Sequence, residues 1–145
     1  MVLAVSGAMA ADGHGLTVSA TVLTKNNCRF ATAASTITLI IDPSSDAAAT
    51  ASATVATRCQ GSAPTASWSL STGNGLHGSS PTTLRLQHAT NVTEYLPYSL
   101  AFPATGSVPK NVWQNITLTA TVSPADFQNA SSGAYSDAVT LSLLP

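Results

Sequence analysis

The stretch that decides how the chain is read is GAYSDAVTLSLLP, residues 133–145. Gly133 and Ala134 release the chain from a polar stretch. Val139, Leu141 and Leu143 then alternate with Ala138, Thr140 and Ser142. A period of two with one apolar face predicts a half-buried β-strand. An apolar strand of this kind needs a partner along its open edge. No further alternating stretch follows it, so what covers that edge is the first question.

Similar stretches recur upstream. LTVSATVL (16–23) sets Leu16, Val18, Ala20 and Val22 on one face, and TITLII (36–41) does the same with Ile37, Leu39 and Ile41 before Asp42-Pro43 breaks it. ASATVATRC (51–59), ASWSLS (66–71), TLRLQ (83–87), YLPYSLAF (95–102) and NITLTATV (115–122) complete the set. Trp68 alternates with Leu70 and is expected in the core, while Trp113 falls in a loop and its place stays open. GNG at 73–75 reads as a hairpin turn. Pro97 inside an apolar run predicts an edge or bulged strand. No window carries a sustained, capped helical period. Short strands with turn residues between them predict an all-β sandwich, and 145 residues predict one domain.

Only 8% of the residues are charged and the net charge is −1. Roughly a quarter are Ser or Thr, so the surface is polar through hydroxyls rather than charges. Scattered cations and a near-zero balance speak against a nucleic-acid partner. No stretch approaches the ~20 apolar residues of a membrane span. At the start, MVLAVSGAMAADG has a short apolar run and an A-x-A pattern at Ala8-Met9-Ala10. Residues 1–10 thus resemble the back half of a secretory signal peptide, although the basic leading region is missing.

Cys28 and Cys59 are either two buried thiols or one disulfide. As a disulfide closing a loop of about 30 residues, they contribute roughly 3–4 kcal/mol in the chain-entropy model. Secretion favours the disulfide.

Chemistry is hard to find. His14, His77 and His88 lie in separate segments and read as solvated surface residues. The six acids form no close pair on a strand face. There is no G-x-S-x-G elbow and no Walker A motif. NVT (91–93), NIT (115–117) and NAS (129–131) match the glycosylation pattern at a frequency that Ser/Thr richness explains. Neither catalysis nor a metal or other cofactor is expected.

Residues 16–23 allow two arrangements. They fold back as the first strand of their own sandwich, or they leave to complete a neighbour's. Here a family likeness adds information. The motif of Gly133, Tyr135 and Asp137 with its alternating strand resembles the closing motif of the spore coat protein U family. Cys28 after the first strand, Cys59 ending a V-x-x-x-C strand, WSLSTGNG, TTLRLQ, YLPYSL and VSPADFQNASSGAYSD follow in matching order over residues 16–145. LIIDP (39–43) departs from the Phe-Gly frequent in that family.

Members of that family resemble pilins, the subunits of archaic chaperone–usher pili. The resemblance implies an incomplete immunoglobulin-like β-sandwich completed by donor-strand exchange, with residues 11–24 as donor strand and 25–145 as pilin domain. It implies a Cys28–Cys59 pair, donor plugs at Leu16, Val18, Ala20 and Val22, and an acceptor groove lined by Val139, Leu141 and Leu143. Tyr135 is expected to pin a turn and Asp137 to bond backbone near Gly133. The implied partners are identical or related pilus subunits, a periplasmic chaperone and an outer-membrane usher. The implied setting is a secreted cell-surface fibre supporting adhesion and biofilm formation. A self-complemented sandwich that binds a surface or glycan through its loops is the alternative.

Overall fold

The computed structural model describes residues 16–20, 26–32, 34–61 and 63–145. Its spine is a pair of long antiparallel strands, Ala49–Gly61 (β2) and Gln114–Val122 (β7). Their register sets Val55 opposite Ile116 and Ala53 opposite Leu118. Alternation then sends Val55, Thr57 and Cys59 inward with Ile116, Leu118, Ala120 and Val122. The outward face carries hydroxyls, and Ser52 and Thr119 share a hydrogen bond of 2.7 Å.

Asn26–Phe30 (β1) lies along the free edge of β2, with Cys28 directly opposite Cys59. The two cysteines are disulfide-bonded. On the other side of β7 come Tyr95–Ala101 (β5), Leu84–His88 (β4) and the two-residue Tyr135–Ser136 (β8). The six-stranded sheet therefore runs β1-β2-β7-β5-β4-β8. Facing it is a three-stranded sheet of Thr105–Pro109 (β6), Thr65–Thr72 (β3) and Leu141–Leu144 (β9), in the order β6-β3-β9. Every pairing is antiparallel. Two packed antiparallel sheets with crossovers between them form an immunoglobulin-like β-sandwich; the strand pattern predicts the all-β sandwich and the family resemblance implies its immunoglobulin-like form.

The core is divided. One part gathers Val55, Cys59, Trp68, Leu70, Val108, Ile116 and Leu118. The other gathers Leu96, Val122 and Phe127, with Leu39, Ile41, Leu86 and Tyr98 against it. Phe127 is supplied by one helical turn, Pro124–Phe127 (α1), whose proline occupies the first turn, where a missing N–H costs nothing.

Several expectations change. Residues 36–41 alternate as expected, with Ile37, Leu39 and Ile41 half-buried and Ile40 exposed, but they belong to no ladder. The described part of the first predicted strand, 16–20, is neither paired nor buried. GNG is not a hairpin turn: β3 and β4 lie in different sheets, so the chain crosses over there. β5 is an interior strand rather than an edge. Pro97 is tolerated because β7 pairs with β5 only over Ser99–Ala101, so no ladder bond to β7 is lost. His88 is buried at 7% exposure rather than solvated. Trp68 is in the core, and Trp113 is 43% exposed. β1, β6, β8 and α1 are too short or too polar to stand out in the sequence. The leader-like residues 1–10 lie outside the described residues.

β6 approaches the core closely because Gly106 sits opposite Trp68, where a Cβ would overlap the indole ring. Gly106→Ala is expected to destabilise the protein by about 1–3 kcal/mol through overpacking. The check is a lowered midpoint in urea with an unchanged m-value, while an unshifted midpoint contradicts the close approach.

Candidate functional site: an open cleft between the sheets

Between the two parts of the core runs a cleft of about 520 Å³. Its floor is the six-stranded sheet: Ala53 and Val55 of β2, Leu118 and Ala120 of β7, Tyr98 and Leu100 of β5, and Leu86 of β4. One rim is the unladdered segment 35–41, of which Ser35, Thr36, Ile37 and Leu39 line the cleft; Phe30 at the end of β1 continues it. The other rim is residues 137–141, with Val139 and Leu141 facing in. The floor is thus apolar, and half-buried residues alternate with exposed ones along both rims, with Asp137, Thr36 and Thr140 adding polar groups.

The rims also carry unspent backbone. Residues 35–41 make no backbone–backbone hydrogen bond among the described residues. β9 is the last strand of its sheet, bonded to β3 on one side only. Ahead of it, Thr140 accepts the N–H of Gly73 at 3.0 Å, and residues 137–140 join no ladder. Backbone groups outside any ladder on both rims, over an apolar floor, are what one further β-strand could pair with. The rim 35–41 is seven residues long, about 20 Å at ~3.3 Å per residue.

The C-terminal motif holds the second rim in place. Gly133 has φ +135°, which disfavours any side chain, and a Cβ there would meet His88 Nε2. That nitrogen lies 2.9 Å from the Ser132 carbonyl, while Nδ1 accepts the N–H groups of Thr90 at 3.1 Å and Asn91 at 3.0 Å. His88 therefore donates from Nε2 and accepts at Nδ1, a structural histidine that knits two loops. Tyr135 packs edge-on against it, with centroids 4.9 Å apart. The Tyr135 hydroxyl donates to the Ser131 carbonyl at 2.8 Å and lies 3.1 Å from Glu94 Oε1. Glu94 also accepts the Ser131 N–H at 2.7 Å, a bond that holds its carboxyl below the usual range. Burial, reinforced by Glu94, raises the Tyr135 hydroxyl.

Asp137 does not bond near Gly133. Oδ1 accepts the Leu76 N–H at 2.8 Å, and Oδ2 accepts the Tyr98 hydroxyl at 2.7 Å. The reason is alternation: Asp137, two residues beyond Tyr135, faces into the cleft, where Tyr98 of β5 is the group within reach. This bond stitches the rim to the floor. Burial first, and the Asp137 carboxylate second, push the Tyr98 hydroxyl far above its ordinary value of 10.0.

The other expected site residues are placed as follows. Val139 and Leu141 line the cleft. Leu143 does not; it packs on the core beside its register partner Leu70. Leu16 and Val18 are 65% and 73% exposed, Ala20 is exposed, and Val22 lies outside the described residues. The cleft is not filled by residues 16–20. Phe30, Ile37, Leu39, Tyr98 and Leu100 are lining residues that the sequence reading did not name as site residues; the alternation of TITLII and YLPYSL was the signal for all but Phe30. Among the described residues no cluster of His, Cys, Asp and Glu could hold a metal ion.

No protein-family model and no curated protein matches the chain. Among solved structures the chain is similar to one from a chaperone–tip adhesin complex described as vital for synergistic activation of CFA/I fimbriae biogenesis, with a TM-score of 0.52 and 12% identity. The match covers 82% of this chain and 42% of that one, so this chain spans less than half of that neighbour's length. At that identity the likeness is one of fold.

Because the folded-state pKa of Tyr98 is raised, its contribution is fully present below the ordinary tyrosine value of 10.0 and is lost as pH rises beyond it. Urea unfolding from neutral into strongly alkaline pH is expected to show that loss. Tyr98→Phe is expected to remove much of the alkaline slope and to cost about 1–3 kcal/mol at neutral pH, since Asp137 loses its donor. Parallel slopes for the two proteins contradict this role.

Proposed function

We propose that this protein is a structural subunit of a surface fibre, polymerised by donor-strand complementation. One observation carries the reading: the sandwich leaves a strand-shaped cleft open while the alternating residues 16–20 of the same chain stand exposed outside it. In this reading Leu16, Val18, Ala20 and Val22 of one copy fill the cleft of the next. The donor stretch 16–22 matches the rim 35–41 in length, seven residues each. Burial of the four plugs contributes ~4–8 kcal/mol. Each added ladder bond contributes roughly 0.5–1.5 kcal/mol.

The same cleft demands a temporary occupant before assembly, because an apolar groove with open edges aggregates. A periplasmic chaperone fits that need, and an outer-membrane usher would exchange it for the next subunit. The fimbrial setting of the structural neighbour and the bonded Cys28–Cys59 pair support the same direction, towards an oxidising, extracellular location. The subunit acts by being held rather than by catalysis, in a fibre that supports adhesion and biofilm formation. Among the described residues no helix is long and apolar enough to cross a membrane.

The test is an SDS gel of cell-surface material, run without and with boiling. The expected result is a ladder of multiples that collapses on heating to one band near 14.6 kDa, as kinetically locked joints require. Val18→Asp is expected to abolish the ladder, because it sets a charge against Val55 or its neighbours in the cleft. A single unboiled monomer band for the wild-type protein would overturn the proposal.

A further inference from the structure

At one end of the six-stranded sheet, Arg29 of β1 lies directly opposite Arg58 of β2. Like charges facing across a ladder are destabilising. The structure offsets this with an aromatic ring: Trp113 lies 5.4 Å from the Arg29 guanidinium and 4.8 Å from that of Arg58, centroid to carbon. It supplies no counter-charge. Among the described residues neither guanidinium hydrogen-bonds to a carboxylate, and Arg58 Nε is buried without any partner. Lys110 joins the same end, because the N–H groups of Lys110 and Asn111 donate to the Pro64 and Cys59 carbonyls beside β2. The patch is exposed at Arg29, Lys110 and Trp113.

The acids lie at the other end. Asp42 and Asp46 sit in the turns before β2, and Gln128 after α1 bonds the Ser45 carbonyl at 3.0 Å, bringing Asp126 of α1 to the same region. Nine residue steps along β2 separate Ala49 from Arg58, about 30 Å. Arg29, Arg58 and Lys110 thus gather at one end and Asp42, Asp46 and Asp126 at the other, while Arg85, opposite Pro97, lies away from the basic end over the Tyr95 ring.

Chain length ties the basic end to a neighbour. Three residues, 23–25, separate Val22 from β1, so Asn26 lies within about 14 Å of the last plug. Arg29 is three residues further along β1. In the fibre the basic patch must therefore sit beside the end of the cleft from which Val22 emerges. At its Phe30 end the cleft adjoins the acceptor's own Arg29 and Arg58, whereas at its Leu39 end it adjoins Asp42. Only emergence at the Leu39 end sets unlike charges together.

We infer that the Arg29–Trp113–Arg58 patch of one copy docks on the Asp42, Asp46 and Asp126 end of the next copy, a second joint that orients successive subunits. This rests on the fibre reading above. Such contacts at a polar rim act on orientation and salt dependence more than on affinity. The inserted strand holds the subunits together, and the charged contact sets the angle between them.

The experiment uses the full chain assembled in cells. Wild-type, R29E/R58E, D42K/D46K/D126K and combined-reversal fibres are compared by unboiled gel ladder and by fibre persistence length in electron micrographs at low and high ionic strength. The expected result is a ladder in all four. Wild-type fibres should become more flexible at high salt, where the screening length falls to about 3 Å at 1 M. R29E/R58E and D42K/D46K/D126K fibres should show the high-salt flexibility already at low salt, and the combined reversal should restore stiffness. Ladders in all four with equal stiffness, or no rescue by the combined reversal, overturn the docking inference and leave the fibre reading standing. No ladder for the wild-type protein overturns both. If one reversed set yields no folded protein, the salt response of wild-type fibres decides, and a salt-independent stiffness overturns the docking.

Discussion

The structure is organised around a strand that the described residues do not supply. Between the rim at 35–41 and the rim at 137–141, two rows of backbone groups face each other across an apolar floor with no ladder between them. Backbone N–H and C=O groups removed from water must be paired, and exposed apolar floor must be covered. The split core follows from the same gap: Val55 and Leu118 on one side and Leu39, Leu86 and Tyr98 on the other contribute walls to one cleft instead of packing through it. In the proposed fibre, a domain built this way would complete its fold by association, coupling folding to assembly.

The gap has to be kept open and in register, and the C-terminal motif supplies the means. Gly133 admits the His88 ring, His88 joins the loops at 90–91 and 132, and Tyr135 locks that arrangement against Glu94 and Ser131. Beyond it, the Asp137–Tyr98 bond fixes where the rim leaves the floor. Each of these groups is polar and satisfied by a specific partner, which makes the rim a defined edge rather than a collapsing loop. The disulfide does the equivalent at the opposite end, tying β1 to β2 where the chain turns into the first rim.

A sparse charge distribution gains meaning in this setting. With 11 formally charged Lys, Arg, Asp and Glu residues in 145, few positions can carry orientation. Three of the four described cations, Arg29, Arg58 and Lys110, lie towards the end of β2, and Asp42, Asp46 and Asp126 lie at its start; Arg85 of β4 is the exception. The outer face between them carries hydroxyls, typified by the Ser52–Thr119 pair, and in the proposed fibre it would leave the charged ends to orient the copies.

The strand period, the all-β class and the inward residues of β2, β3, β5 and β7 were legible in the sequence, because alternation is a local property that burial on one face imposes. So was the apolar rhythm of the two rims. Whether a rhythmic stretch finds a partner is not local. TITLII and LTVSATVL read alike, yet the first became an unpaired rim and the described part of the second stands exposed outside the cleft, since ladder pairing depends on which strands the fold brings alongside. GNG looked like a hairpin because turn residues do not report whether the chain stays in its sheet. His88 looked solvated, and Asp137 was expected to bond locally, because the partners that bury or bind them, Ser132, Asn91, Tyr98 and Leu76, are brought there by tertiary packing. Sequence alone determined which residues want burial and in which direction they point. The tertiary structure decided which of them line the open cleft, since which strands lie alongside one another depends on the whole fold.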